Sequence, residues 1–124
     1  MTLAEIIAQV DEVKPNAFSN EAKTIWLNEV EGKIQTDVFL LAVEDVQQYT
    51  YEEHKDHALL VNAPHDKLYR EYLTARIDYA NGEYNKYANT MQMFNEFWGE
   101  FVGWFARNYR PAETHKGRYV DDEL

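Results

Sequence analysis

Apolar residues recur every three or four positions over most of the chain, which is the spacing of an amphipathic α-helix. The first such segment, about residues 2–13, begins at Thr2, with a glutamate three residues later at the spacing of a capping box. It ends before Pro15, which cannot continue a helix. A second segment, about residues 20–42, follows Ser19, a favourable N-cap residue. The pattern therefore predicts two helices in the first part of the chain.

Helical spacing returns in the second half of the chain and runs to about residue 109. Its phase continues through Asn81-Gly82, a pair that would otherwise end a helix and form a turn. Two interpretations compete: helices at about 65–81 and 84–109 joined by a tight turn, or one helix that passes through the glycine. The usual lengths of helices favour two, whereas the unbroken phase favours one. We expect two helices and keep the continuous helix as the alternative.

The segment before the third helix, residues 43–64, lacks a sustained period. A connection of this length in a small domain is usually functional or mobile, and it holds the densest acidic cluster of the chain. Pro111 stops the last helix, so residues 111–124 are expected to form an extended, flexible C-terminal tail. The sequence thus predicts an all-α, four-helix bundle-like domain over residues 1–110. The carboxylates of the long acidic loop are Glu44, Asp45, Glu52, Glu53 and Asp56.

Composition narrows the classes of function. The chain has 124 residues, a formal net charge of −10 and no cysteine, which indicates one domain without disulfide or thiolate chemistry. The acidic balance argues against nucleic-acid binding, because phosphate contacts need clustered Lys and Arg. The apolar runs are too short for a membrane span, and an acidic residue precedes any basic one, unlike a signal peptide. We therefore expect a soluble domain of the intracellular type.

Few side chains are arranged as a catalytic or metal site. His54, His57 and His65 lie near several carboxylates, and such ligands can bind hard or borderline metals. A di-metal site in a helix bundle needs two Glu-x-x-His motifs, which this sequence lacks. The single serine, Ser19, is explained by capping, and no glycine-rich phosphate loop is present. We interpret the histidines as surface residues and expect neither enzyme activity nor a cofactor.

Aromatic residues crowd the last helix on more than one face. A helix that is apolar on most sides is usually buried on most sides, and in so small a chain this indicates contact with another subunit. An interfacial membrane helix is the alternative, but Glu96 and Glu100 are acidic where lipid favours Lys and Arg. The residues expected at the subunit interface are Phe97, Trp98, Phe101, Trp104 and Phe105.

An ordered set of short motifs between residues 14 and 110 resembles one protein family. The motifs are Lys14-Pro15-Asn16, Trp26-Leu27-Asn28-Glu29-Val30-Glu31, Leu59-Leu60-Val61-x-x-Pro64-x-Asp66-x-x-Tyr69, Tyr72-Leu73-x-x-x-Ile77-Asp78-Tyr79-x-Asn81-Gly82-Glu83, Tyr87-x-Asn89 and Met93-Phe94-Asn95. Taken in this order, they resemble the small head–tail connector proteins, also called neck or adaptor proteins, of tailed bacteriophages and prophages.

The resemblance implies a structural virion protein of the phage neck that is present in the host cytoplasm during assembly. Such a protein forms a ring of about a dozen copies below the portal protein, joins the DNA-filled head to the tail and extends the DNA channel. Its partners are further copies of itself, the portal and the next neck or tail component. DNA passes through the ring without specific binding, and the resemblance implies neither a cofactor nor a membrane.

Two hypotheses about sites accompany the resemblance. A channel through which DNA slides should not bind phosphate, so we expect the acidic loop to line it, with a position on the outer rim as the alternative. The basic and aromatic part of the tail is expected to order on the portal through Arg118, Tyr119 and Val120, with a simple disordered terminus as the alternative. The competing class of protein is a stand-alone acidic helical binding protein, either a DNA mimic or an inhibitor of a host protein.

Overall fold

Five α-helices make up most of the described chain. The computed structural model describes residues 1–108 in full and, for the backbone alone, 110–111 and 119–120. The predicted all-α class is confirmed, and the four long helices lie within the four segments that the periodicity predicts. The helices are α1 (Leu3–Val13), α2 (Asn20–Lys33), α3 (Tyr51–His54), α4 (Lys67–Ala80) and α5 (Tyr84–Asn108).

The starts of the first two helices follow the capping signals in the sequence. The Glu5 backbone N–H donates to the Thr2 hydroxyl at 3.2 Å, and the Glu5 carboxylate accepts from the Thr2 backbone N–H at 2.8 Å. This reciprocal pair is a complete capping box. At the start of α2, the Ser19 hydroxyl accepts from the Ala22 N–H at 3.0 Å. Both predicted N-termini are therefore confirmed.

The second helix ends earlier than predicted. Regular α-helix stops at Lys33 and continues as one π-helical turn, Ile34–Val38, rather than reaching residue 42. The chain then reverses because Leu40 adopts a left-handed backbone, with φ of 60°, and the Leu41 N–H bonds to the Gln35 carbonyl. Leu41, whose spacing suggested a buried helical position, is 40% exposed. The periodic pattern alone did not reveal this stop, because no Gly or Pro marks it.

The break between the last two long helices lies at Asn81-Gly82. Gly82 has φ of 77°, a conformation that side-chain-bearing residues rarely adopt, and the Glu83 N–H bonds back to the Asp78 carbonyl at 2.9 Å. The two-helix interpretation is therefore confirmed, and the continuous helix is wrong. The phase persists through the turn because α4 and α5 pack against each other along their apolar faces.

The acidic loop is more ordered than its lack of period suggested. It contains a 3₁₀ turn, Val43–Asp45, and the single-turn helix α3. Its last part pairs with the start of α1, since the Leu3 N–H bonds to the His57 carbonyl and the Leu59 N–H to the Met1 carbonyl. The last part of the loop is thus fixed to the start of α1.

The core lies between α1, α2 and α4, while α5 packs mainly on α4. Of the residues in α5, only Phe94 and Phe101 are fully buried among those described. This arrangement leaves much of α5, the longest helix, at the surface.

The end of the chain forms a short strand pair. β1 (Arg110–Pro111) runs antiparallel to β2 (Tyr119–Val120), with Arg110 opposite Val120. Arg118 and the side chains of Tyr119 and Val120 lie outside the described residues, as does the rest of the tail. The flexible tail and its contact with the portal therefore stay predictions.

Candidate functional site

A buried carboxylate holds the acidic loop against the bundle. The side chain of Glu31, on α2, is fully buried and accepts hydrogen bonds from the Tyr69 hydroxyl at 2.5 Å, the Tyr49 hydroxyl at 2.8 Å and the Leu60 N–H at 3.0 Å. The Tyr69 hydroxyl also accepts from the Val61 N–H at 2.9 Å. One carboxylate therefore connects α2, α4 and both ends of the segment that runs from Tyr49 to Val61.

Burial sets the protonation behaviour of this cluster. It raises the pKa of the Glu31 carboxyl above its usual value, and the hydrogen bonds from Tyr69, Leu60 and Tyr49 oppose that rise. Burial and the adjacent carboxylate also raise the pKa of the Tyr49 and Tyr69 hydroxyls well above their usual range. Both tyrosines therefore remain hydrogen-bond donors to Glu31 over the physiological pH range.

Two amide side chains, one on α2 and one in the π-helical turn that follows it, bind the backbone of the loop. Asn28 both donates to the Tyr49 carbonyl and accepts from the Tyr49 N–H, each at 2.9 Å. Gln35, two turns further along, makes the same pair of bonds with Gln47, at 3.0 and 2.8 Å. Glu31 lies between the two amides. These contacts satisfy the backbone of the loop without a β-sheet partner.

A second polar contact fastens the end of α1 to the end of α4. The Lys14 ammonium lies 2.6 Å from the Asp78 carboxylate, whose side chain is only 2% exposed. Nearby, Lys23 is almost fully buried and is paired with Asp11 at 2.7 Å. An unpaired buried charge is very unfavourable, so we expect the stability of the fold to depend on both pairs.

The polar residues of the quoted motifs meet in these contacts. Lys14 pairs with Asp78, Glu31 bonds to Tyr69, and the Tyr72 hydroxyl donates to Glu29. Each pair joins two motifs that are far apart in sequence. The motif set therefore encodes the packing of the helices and the position of the acidic loop. Sequence reasoning missed Glu31, which it placed with the exposed charges of α2; its tyrosine partners are separated from it by loops and give no local signal.

The predicted channel residues all lie on the surface. Glu44 and Asp45 belong to the 3₁₀ turn, Glu52 and Glu53 to α3, and Asp56 to the turn that follows it. All five side chains are exposed, so the structure leaves them available to a partner. Their position in a channel stays a prediction.

The predicted interface residues of α5 divide into three groups. Phe101 is 3% exposed and belongs to the core of the chain itself, whereas Trp104 is 41% exposed. Phe97, Trp98 and Phe105 are half-buried and pack against the core. The chain therefore covers part of the aromatic surface without a second subunit.

Side chains outside α5 provide that cover. Phe39 contacts Phe105 with ring centres 5.4 Å apart, and His65 contacts Trp104 at 5.1 Å. The His65 ring thus occupies an aromatic environment at the start of the third predicted helix. The sequence showed that α5 is rich in aromatic residues, but it gave no signal for these partners, which lie far from α5 in the chain.

An open groove remains between the π-helical turn that follows α2 and the second half of α5. Its volume is about 410 Å³, and most of its lining side chains are apolar. The residues that line the groove are Asp37, Val38, Leu40, Trp98, Val102, Phe105 and Ala106.

Beside this groove, the chain exposes a short apolar and acidic segment, residues 40–45. Leu40 and Val43 are 62% and 80% exposed, and Glu44 and Asp45 follow directly. Among the described residues, no ion pair includes either carboxylate. We name this stretch the exposed segment.

A different surface combines an arginine with aromatic rings. The guanidinium of Arg76 lies between the Trp26 and Tyr79 rings, at 5.9 and 5.6 Å from their centres. Tyr84 contacts Tyr79 edge-on at 5.2 Å, and the two tyrosines are 60% and 47% exposed. The nearest carboxylate is that of Glu29, 3.7 Å from the Arg76 Nε. We name Trp26, Arg76, Tyr79 and Tyr84 the arginine patch.

The described part of the chain offers neither a metal site nor a membrane-spanning helix. No group of three or more histidine and carboxylate side chains there is placed to hold a metal ion, and this includes His54, His57 and His65. Within the same residues, no helix has both the length and the apolar character needed to cross a membrane.

Comparisons of the chain with models of protein families, with curated proteins and with solved structures give no match.

Proposed function

We propose that this protein is a structural component of the neck of a tailed bacteriophage, where copies of it form a ring between the portal and the tail. The observation that carries the proposal is the ordered motif set, which resembles the head–tail connector proteins over residues 14–110. The pairing of those motifs across the fold, as in Lys14–Asp78 and Glu31–Tyr69, supports treating them as one set.

Surface properties support the same proposal. A ring subunit needs two unlike surfaces, one for each neighbour, and the chain exposes the groove beside α5 and the arginine patch. It also presents carboxylates on a loop that is bonded to the bundle at Tyr49 and Leu60. In the proposed ring, Glu52, Glu53 and Asp56 face the DNA channel, where negative charge prevents binding to phosphate.

An early stop codon in the gene, within the phage or prophage that encodes it, tests the proposal. After induction, electron microscopy of the lysate should show DNA-filled heads and separate tails, and supplying the protein in trans should restore complete virions. A synonymous change at the same codon is the matched control. Complete infectious particles from the stop-codon phage would overturn the proposal and favour the acidic binding protein instead.

A further inference from the structure

The exposed segment and the arginine patch have complementary chemistry. The segment offers apolar side chains followed by two unpaired carboxylates, Glu44 and Asp45. The patch offers aromatic rings around the guanidinium of Arg76, whose buried Nε lies 3.7 Å from the Glu29 carboxylate but makes no hydrogen bond among the described residues. Arginine binds carboxylates through a planar fork of donors. The two surfaces are therefore complementary in charge and in apolar character, although Glu29 already places one carboxylate beside Arg76.

The two surfaces cannot meet within one chain. Trp26 lies near the start of α2, whereas Leu40 follows the π-helical turn that ends at Val38. Leu40 also lines the groove together with Val102, whereas Tyr84 of the patch opens α5. Eighteen residues of α5, at 1.5 Å each, separate Val102 from Tyr84 by about 27 Å. Contact between the surfaces therefore requires a second copy of the protein.

Backbone strain in the exposed segment adds an independent reason to expect a partner. Leu40 holds φ of 60°, which costs about 1 kcal/mol or more for a residue with a side chain. This conformation turns an apolar side chain toward solvent, where it is 62% exposed. Strain of this kind is common in segments whose shape serves binding.

We propose that the exposed segment of one copy docks on the arginine patch of the next copy. Leu40 and Val43 pack on the aromatic rings, and Glu44 or Asp45 pairs with Arg76. Because the two surfaces differ, the contact is head-to-tail, the type that generates rings or filaments. This inference deepens the proposed neck role and relies on it for the closing of the ring. It also reassigns Glu44 and Asp45 from the channel to the subunit contact.

Site-specific crosslinking tests the contact directly, because the chain has no cysteine. One variant carries Val43→Cys and the other Ala80→Cys, an exposed position one turn beyond Arg76. A mixture of the two, treated with a short bismaleimide, should give crosslinked pairs. The control mixture replaces Ala80→Cys by Glu96→Cys, an exposed position on α5 away from the patch. We expect at least about fivefold more pairs in the first mixture than in the control.

Charge reversal then tests the chemistry of the contact. Glu44→Lys with Asp45→Lys, added to the Val43→Cys chain, changes only exposed side chains and should reduce the yield to that of the control. Arg76→Glu in the Ala80→Cys chain should restore part of the yield. If its circular dichroism melt shows that Arg76→Glu unfolds the protein, the variant with Glu44→Lys and Asp45→Lys alone tests the ionic contact. An unchanged yield with that variant would overturn the ionic part of the proposal.

Other outcomes separate this inference from the neck role. Equal yields in the two mixtures, or a Val43→Cys chain that pairs with itself as efficiently as with Ala80→Cys, would overturn the head-to-tail contact. If the stop-codon phage still gives separate heads and tails, the neck role then stands without this contact. Conversely, strong crosslinking together with complete particles in the stop-codon lysate would keep the contact and remove the neck role.

Discussion

Tyr69 donates its hydroxyl hydrogen to Glu31 across 2.5 Å, and this bond joins the start of α4 to the last turn of α2. The same hydroxyl accepts the Val61 N–H, so the tyrosine also fixes the end of the acidic loop. Both side chains are fully buried. A single phenol group therefore satisfies a buried charge and a buried backbone donor together.

Replacing Tyr69 by Phe should lower the free energy of unfolding by about 3 kcal/mol. The change removes a donor to a buried carboxylate and leaves the Val61 N–H without a partner. Tyr72→Phe is the matched control, because it also removes a tyrosine–glutamate bond but at the exposed Glu29. Urea unfolding of both variants measures the difference. Equal losses of unfolding free energy in the two variants would contradict the explanation that burial makes the hydrogen bonds of Glu31 important for stability.

The stability of the protein relative to a Glu31→Gln variant should fall as the pH rises. Burial raises the pKa of Glu31 above the usual value of 4.5, so folding favours its protonated form. The contribution of Glu31 is then fully present below pH 4.5 and is lost as the pH passes through the raised pKa. The glutamine variant lacks this titration and keeps one of the two acceptor oxygens that the tyrosine hydroxyls use.

Urea unfolding of both proteins at several pH values between 4 and 8 tests this sign. Taking the difference between the two proteins cancels the titration of the other carboxylates. If the wild-type protein instead gains stability over Glu31→Gln with rising pH, the hydrogen bonds from Tyr49, Tyr69 and Leu60 outweigh the cost of burial.

Local signals in the sequence predicted the helices because their causes are local. The Thr2 and Ser19 caps, the stop before Pro15 and the turn at Gly82 each depend on residues within one or two turns. The end of α2 was missed because the left-handed residue there is Leu40, which carries no turn signal. Propensity cannot identify a stop that depends on tertiary contacts.

The candidate site was harder to predict because its contacts are long-range. Glu31 and Tyr69 are 38 residues apart, and nothing in the spacing of either residue indicates a shared environment. The aromatic excess of α5 was visible, but the cover that Phe39 and His65 provide was not. The sequence therefore showed that α5 is rich in aromatic residues. It did not show which of those aromatic side chains pack against other parts of the same chain.

Removing the charge of Lys14 should destabilise the protein strongly. Lys14→Met leaves the Asp78 carboxylate buried without its ion pair, for which a loss of about 3 kcal/mol is expected. Adding Asp78→Asn should recover part of that loss, because the unpaired charge is then gone. Lys33→Met is the control, since its exposed ammonium makes only a pair with the exposed Asp37 and a cation–π contact with the Trp98 ring, and its loss should change little. Thermal melts of the three variants and the wild-type protein check the order, and no recovery in the double variant would contradict this explanation.

Two glycines should respond in opposite directions to substitution by alanine. Gly82→Ala should lower the free energy of unfolding by about 1 kcal/mol, because φ of 77° strains any side chain. Gly99→Ala should raise it by about 1 kcal/mol, because the position is helical, exposed and free of neighbours within 4 Å. Differential scanning calorimetry measures both changes. Stabilisation by Gly82→Ala would instead favour a continuous helix through that residue.

Reversing the charge of the proposed channel residues should impair passage of DNA without preventing assembly. In the proposed ring, Glu52→Lys, Glu53→Lys and Asp56→Lys turn a repelling surface into one that holds phosphate. All three side chains are exposed, so the fold should tolerate the change. Joined particles should form in normal numbers, while infectivity per particle falls by about tenfold or more.

A variant with the same change in net charge provides the control for this experiment. Glu12→Lys, Glu21→Lys and Glu96→Lys also alter only exposed carboxylates, but they lie on α1, α2 and α5, away from the acidic loop. Electron microscopy counts joined particles for each variant, and plaque titre divided by that count gives infectivity. A similar loss in both variants would attribute the effect to net charge. Normal infectivity of the loop variant would place the loop on the outer rim, because phosphate would then never meet the three lysines.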